Sequence, residues 1–279
     1  MELKKTTRIE SDLIGEREIP GHILYGVQTL RGIENFPISN FHLNDYPLFI
    51  NGLAMTKWAA AVANHRLGLL TDAQKDGIVK ACKEILEGKH HEHFPVDMIQ
   101  GGAGTTTNMN ANEVICNRAL QIMGHEAGEF AHLSPNDHVN CSQSTNDAYP
   151  TAIHLGLYAT YLKFRPHLLD LIESLRAKSR EFAHVLKMGR TQLEDAVPMS
   201  LGQTFGGFAS ILQDEIKNLD FAAEEFLTVN MGATAIGTGI CAQPNYAEYC
   251  IEALREVTGW DIRLSADLVG ATSDTYVMV

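Results

Sequence analysis

Two segments of about 30 residues with the spacing of long α-helices dominate the second half of this chain. In residues 200–229 the apolar positions Phe205, Phe208, Ile211, Leu212, Ile216, Leu219, Phe226 and Leu227 recur mostly at three- and four-residue intervals, the period that lines one face of a helix. Residues 151–187 form the other long segment, with Pro166 expected to kink or break it. A helix of about 30 residues spans roughly 45 Å at 1.5 Å per residue, which suits an elongated bundle better than a small one. Period-two alternation never lasts more than a few residues. The predicted fold class is therefore all-α, with strands a minor element.

Elsewhere the punctuation is local. Residues 1–50 read as irregular, broken by Gly15, Pro20, Gly21, Gly26 and Pro37. A helical pattern spans 48–69, and Thr71 opens a second helix that runs to about Glu87, before Gly88. Residues 103–124 combine a polar loop with a helix that Gly124 would cap. At the far end Ser273 and Asp274 look like an N-cap for a helix cut off in its first turn. The chain reads as a truncated piece of something longer.

The formal net charge of −12 argues against a nucleic-acid partner, which would call for a basic face. Five cysteines (Cys82, Cys116, Cys141, Cys241 and Cys250) are scattered without C-x-x-C spacing, so neither a zinc site nor a disulfide framework is expected. No stretch of about 18 apolar residues is present, and the N-terminus carries no signal core. The expectation is a soluble, cytoplasmic protein with no membrane partner and reduced thiols.

Three polar stretches, 101–112, 142–151 and 189–198, concentrate hydroxyl and amide groups beside these helices. A helix start offers unpaired N–H groups and the positive end of the helix dipole, which together can hold a carboxylate. Taken singly, each stretch also has a plain structural reading. The first is a Gly-rich loop with Thr and Asn capping, the second a cap, the third a turn between helices. Four capping residues in succession, Ser144, Thr145, Asn146 and Asp147, exceed what one cap requires. Asp147 reads as a structural acceptor, since it would repel an anion. Arg190 is expected to pair with Glu194 or Asp195. The 232–239 loop lacks the strand–turn–helix setting of a dinucleotide fingerprint and reads as a tight loop against a helix. His90, His91 and His93 read as surface histidines, with no metal site expected.

In combination these motifs resemble the aspartate ammonia-lyase/class II fumarase superfamily, and its aspartate branch most closely, over nearly the whole chain. The likeness rests on ordered runs. They are Tyr25-Gly26-Val27-Gln28-Thr29-Leu30-Arg31, Phe94-Pro95-Val96-Asp97, Gln100-Gly101-Gly102-Ala103-Gly104-Thr105, Asn108-Met109-Asn110, Pro135-Asn136-Asp137-His138-Val139-Asn140, Gln143-Ser144-Thr145-Asn146-Asp147 and Lys187-Met188-Gly189-Arg190-Thr191-Gln192. The resemblance implies residues 1–140 as an N-terminal lyase domain and 141–279 as an incomplete central helical bundle. It implies a homotetramer whose active sites draw on three subunits. The reaction implied is deamination of L-aspartate to fumarate and ammonia, by loss of a C3 proton through an aci-carboxylate. No organic cofactor is implied, though a divalent cation such as magnesium can activate this branch. Substrate contacts carried over by motif are Thr105, Ser144, Thr145, Asn146 and Thr191.

The departures are specific. The family's base is a serine on a Gly-Ser-Ser loop followed by Met-x-x-Lys-x-Asn-Pro, and these 279 residues contain neither. No catalytic residue is therefore assigned within the chain, and the chain alone is expected to be inactive. Gln192 stands where fumarases carry His, favouring the aspartate branch over class II fumarase. Cys241 replaces an Asn, and a Gly-Ala pair is missing before Tyr276. A non-catalytic fragment or interaction scaffold is the alternative of a different kind.

Overall fold

The computed structural model describes residues 7–102 and 104–273. The chain opens with strands β1 (Thr7–Asp12) and β2 (Gly15–Pro20), followed by helices α1 (Val27–Asn35), α2 (Pro47–Arg66), α3 (Asp72–Leu86) and α4 (Thr105–Ile122). The long helix α5 (Thr145–Glu181) leads into strands β3 (Leu186–Thr191) and β4 (Glu194–Ser200) and helix α6 (Leu201–Glu225). Strand β5 (Thr228–Val229), helix α7 (Tyr246–Thr258), strand β6 (Arg263–Leu264) and helix α8 (Leu268–Ser273) complete it. The fold is mainly helical, as the periodicity requires.

Two compact units can be distinguished, Met1–Leu157 with Phe226–Val279, and Tyr158–Glu225. In the first, Leu53 of α2, Ile78 and Ile85 of α3, and Ile115 and Leu120 of α4 form one buried cluster with Phe94. Burying such a side chain contributes roughly 1.5–3 kcal/mol, which is what holds α2, α3 and α4 together. α3 starts on a capping box: Gln74 N donates to Thr71 Oγ1 at 3.3 Å, and Thr71 N to Gln74 Oε1 at 3.0 Å. Gly52 lets α2 approach the first turns of α5, since a Cβ there would meet the Ala152 carbonyl oxygen.

The second unit pairs the rest of α5 with α6. Ile172, Ala209 and Ile216 are buried between them, with Leu168, Leu169, Leu175 and Leu212 packed around. Arg165 grips Asp220 through Nε at 2.7 Å and Nη2 at 2.9 Å, and Tyr161 donates to the same carboxylate at 2.9 Å.

Several expectations need correction. Pro166 does not interrupt α5, which also begins six residues earlier than 151. A proline inside a helix costs about 3 kcal/mol, yet α5 continues past it, packed on α6 through the Arg165–Asp220 pair and the adjoining apolar stripe. Within residues 1–50, β1, β2 and α1 are regular where an irregular stretch was expected. Gly15 and Pro20 bound the second strand of a hairpin rather than exclude one, and Asp12 Oδ1 closes its turn by accepting from Ile14 N at 2.9 Å and Gly15 N at 3.1 Å. The 189–198 stretch is a hairpin, with Gln192 and Leu193 both in the left-handed region (φ 51° and 67°), as a two-residue primed turn demands. At the C-terminal end α8 starts at Leu268 on a cap from Asp267 Oδ1, so Ser273 lies inside it. Asp274 lies outside the described residues.

Candidate active site

Lys57 sits in the middle of α2 and is fully buried. Its Nζ donates to Asn108 Oδ1 at 2.7 Å, Gln143 Oε1 at 2.8 Å and Asn140 Oδ1 at 3.1 Å. Three amide oxygens match the three N–H bonds of an ammonium. Burial draws the lysine down to about 7, while the nearby Asp147 carboxylate acts in the opposite direction. The amides are cross-linked in turn, Asn108 Nδ2 and Asn112 Nδ2 each donating to Asn140 Oδ1 at 3.1 Å. The sequence reading did not single out Lys57. A lysine flanked by Trp58 and a run of alanines on an otherwise buried helix was the available signal.

This network fixes the chain just ahead of α5. Ser142 takes a left-handed backbone (φ 60°), and its hydroxyl donates to Asn64 Oδ1 at 2.7 Å. Ser144 then caps α5: its Oγ accepts from Asn146 N at 3.2 Å, and its own N–H donates to Asp147 Oδ1 at 2.9 Å. Thr145 Oγ1 accepts from Asn108 Nδ2 at 3.3 Å. Because the Ser144 and Thr145 oxygens accept from the protein, their O–H hydrogens remain for donation to a ligand. Asn146 Nδ2 donates to the Ala235 carbonyl, and Asn230 Nδ2 donates to the Asn146 carbonyl at 3.1 Å.

Asp147 is the structural acceptor its sequence setting suggested. It is buried and also accepts from Gly232 N at 3.0 Å and Thr234 N at 3.1 Å, binding the 232–239 loop to the head of α5. Burial raises this carboxyl above its ordinary range, and the three backbone N–H groups and Lys57 counter that. The loop packs on α7, where a side chain at Gly232 would meet Ala247 at 2.6 Å.

Thr105 opens α4 and is exposed. Its N-cap, Gly104, has φ 87° and lies against the Tyr149 ring, so that a Cβ would come within 2.5 Å of it. The Gly104–Tyr149 contact and the Asn108–Thr145 bond set the starts of α4 and α5 side by side. Thr105, Ser144, Thr145 and Asn146 thus belong to one pair of adjacent helix N-termini. Their donors are uncharged, backed by a buried cation. Thr191 is placed differently: it ends β3 in the second unit and is exposed. Arg190 beside it pairs with Asp195 at 3.0 Å, as expected.

The histidine cluster needs a partial correction. His93 is buried, not on the surface, and His91 Nε2 lies 2.9 Å from the Ile85 carbonyl. All five cysteines are free.

A family model described as a lyase matches residues 15–279. The chain belongs to this lyase family. Among similar proteins are the aspartate ammonia-lyase of Pseudomonas canavaninivorans, 53% identical over 98% of this chain and 58% of that protein, and that of Escherichia coli K12, 49% identical over 99% and 59%. A crystal structure described as fumarate lyase:delta crystallin from Brucella melitensis, bound to cobalt, superposes with a TM-score of 0.93 at 48% identity, covering 98% of this chain and 59% of that one. A class II fumarase from Schistosoma mansoni superposes with a TM-score of 0.86 at 34% identity, over 95% and 59%. The lyase chain spans about three fifths of the length of the curated relatives it matches.

Proposed function

We propose that this lyase belongs to an aspartate ammonia-lyase, which converts L-aspartate reversibly to fumarate and ammonia. The observation that carries the reading is the convergence of Ser144, Thr145 and Asn146 with Thr105 at two neighbouring helix starts, in a chain about half identical to proteins of that activity. Loss of the C3 proton loads a second negative charge onto the adjoining carboxylate. Donors fixed beforehand around that carboxylate stabilise the charge as it develops, and so lower the barrier more than they tighten substrate binding. In this reading Ser144, Thr145 and Asn146 cradle the carboxylate that becomes dianionic, Thr105 is a further substrate contact, and Thr191 is a substrate contact that the homotetramer brings from another subunit. Neutral donors suit a ligand that gains charge during the reaction.

The reading carries a homotetramer, a small-molecule substrate, a cytoplasmic setting, and the division into residues 1–140 and 141–279. No helix among the described residues is long and apolar enough to cross a membrane. No organic cofactor is invoked. Activation by magnesium, which the branch allows, finds no oxygen-rich group in the two three-residue clusters that could hold a metal among the described residues. Each of them offers two imidazoles and one carboxylate, whereas magnesium takes oxygen ligands. No step is therefore routed through it.

Absorbance of fumarate on adding L-aspartate to the full-length enzyme tests the assignment, with L-malate offered in parallel. Turnover of malate but not aspartate would replace it with the class II fumarase reading. The 279-residue chain alone lacks a match to the serine-base loop and is expected to give no turnover with either substrate.

A further inference from the structure

Just beyond α4 the chain makes a compact excursion that the proposed activity does not use. Gly124 turns it (φ 88°), and His125 N donates back to the Leu120 carbonyl at 2.9 Å. Gly128 N donates to Oδ1 of the buried Asn117 at 2.8 Å, Glu126 N to Glu129 Oε2 at 3.1 Å, and His132 N to the Glu129 carbonyl at 3.0 Å. From α3, Gln74 Nε2 donates to the His132 carbonyl at 3.1 Å. The backbone carrying His125, Glu129 and His132 is therefore tied down at both ends and in the middle.

On this frame the two imidazoles stack, with ring centroids 3.9 Å apart and planes within 12°. His125 Nδ1 lies 3.3 Å from Glu129 Oε2. One ligand atom from each of the three residues falls within 4.8 Å of the others. Two ligands on one zinc-like ion at about 2.0–2.1 Å stand roughly 3.3 Å apart. Binding turns the exposed His132 ring off its stack with His125, because nitrogen lone pairs in parallel rings do not converge on one ion, and the exposed Glu129 carboxylate follows.

We infer that His125, Glu129 and His132 form a surface site for one divalent ion of the zinc, cobalt or nickel class. Two nitrogens and one carboxylate oxygen suit those ions over magnesium or calcium, which take oxygen sets. Three protein ligands on an open surface leave the other coordination positions to water. The second such group, His90, Glu92 and His93, is poorer. His90 Nε2 is held 2.9 Å from Glu84, whose carboxylate also binds the Arg118 guanidinium at 2.8 Å, and that fixed cation disfavours a second one. The inference is independent of the aspartate reading.

The test is isothermal titration of tag-free 279-residue chain with zinc chloride, followed by cobalt chloride read by visible absorption. One equivalent is expected, with a cobalt d–d spectrum free of a thiolate charge-transfer band, and magnesium in tenfold excess should not displace it. His132→Ala and Glu129→Gln should each weaken zinc binding by more than about tenfold, since even outer partners of a metal ligand are worth about 10–100-fold in affinity. His90→Ala should leave it unchanged. Circular dichroism of each variant separates loss of ligand from loss of fold. Binding that survives His125→Ala/His132→Ala, that vanishes in His90→Ala, or that shows a thiolate band would overturn the assignment.

Discussion

Gln143 Oε1 accepts from Lys57 Nζ at 2.8 Å, so the middle of α2 is bonded to the residue immediately before the Ser144–Asn146 donors. Lys57→Met would remove the ammonium from this node and leave three amide oxygens without it. Unpaired buried polar groups and broken buried ionic contacts each cost a few kcal/mol. Urea unfolding of the variant is expected to show a loss of about 2–4 kcal/mol. An unchanged midpoint and slope would mean that the node is not stabilising.

Glu113 plays a comparable part at α1. Its carboxylate accepts from Gly26 N and Gln28 N at 2.8 Å, Thr29 N at 3.0 Å and Thr29 Oγ1 at 2.6 Å. A buried acid here satisfies the first-turn donors and meets the positive end of the helix. Glu113→Leu should lower stability by about 3–5 kcal/mol and speed amide exchange in residues 27–32. Slow exchange there would show that α1 does not depend on this cap.

Acid sensitivity should trace partly to Glu84. Its hydrogen bond to Arg118, with a smaller one from His90, outweighs burial and holds the carboxyl down to about 2 from an ordinary 4.5. The native state therefore binds this proton less readily than the unfolded chain. The contribution is complete above about pH 4.5 and disappears as the pH falls towards 2. In Glu84→Gln the decline of stability across that window should be shallower. Parallel pH profiles for the variant and the parent would contradict this.

The second unit exposes large apolar side chains, among them Phe208, Ile211 (62% exposed) and Phe221 (68% exposed) on α6, and Phe164 and Leu171 on α5. Large apolar side chains exposed on two paired helices suit an association face. The chain is expected to self-associate in sedimentation velocity, and Phe208→Gln/Ile211→Gln to weaken that association at least about tenfold, equivalent to about 1.4 kcal/mol. A monodisperse monomer of the parent chain would refute the proposal.

In the full-length enzyme, Thr145→Ala should depress kcat more than it changes KM, because the lost donor acts on charge that develops during the reaction. A rise in KM alone would reassign Thr145 to ground-state binding.

What could be read from the residues followed physical range. α3 was legible because its capping box lies within four residues and its apolar period is regular. The polar clusters at the heads of α4 and α5 were legible as composition. Lys57 was not, because its three amide partners lie 51, 83 and 86 residues away and lysine is an unremarkable helix former. The passage of α5 through Pro166 was not legible either, since the helix packed beside it is distant in sequence, Asp220 lying 55 residues beyond Arg165. The β3–β4 turn was hidden because Gln192-Leu193 fills positions usually taken by Asn-Gly.

The Glu113 cap also bears on the order of assembly. Val27 N is met locally, by Glu10 Oε2 at 3.0 Å, but Glu113, the acceptor for Gly26, Gln28 and Thr29, lies 84 to 87 residues downstream, so most of this first turn is satisfied only by closing a long loop. During synthesis α1 is expected to gain its Glu113 bonds only after α4 has left the ribosome, and to stay open to chaperones and proteases until then.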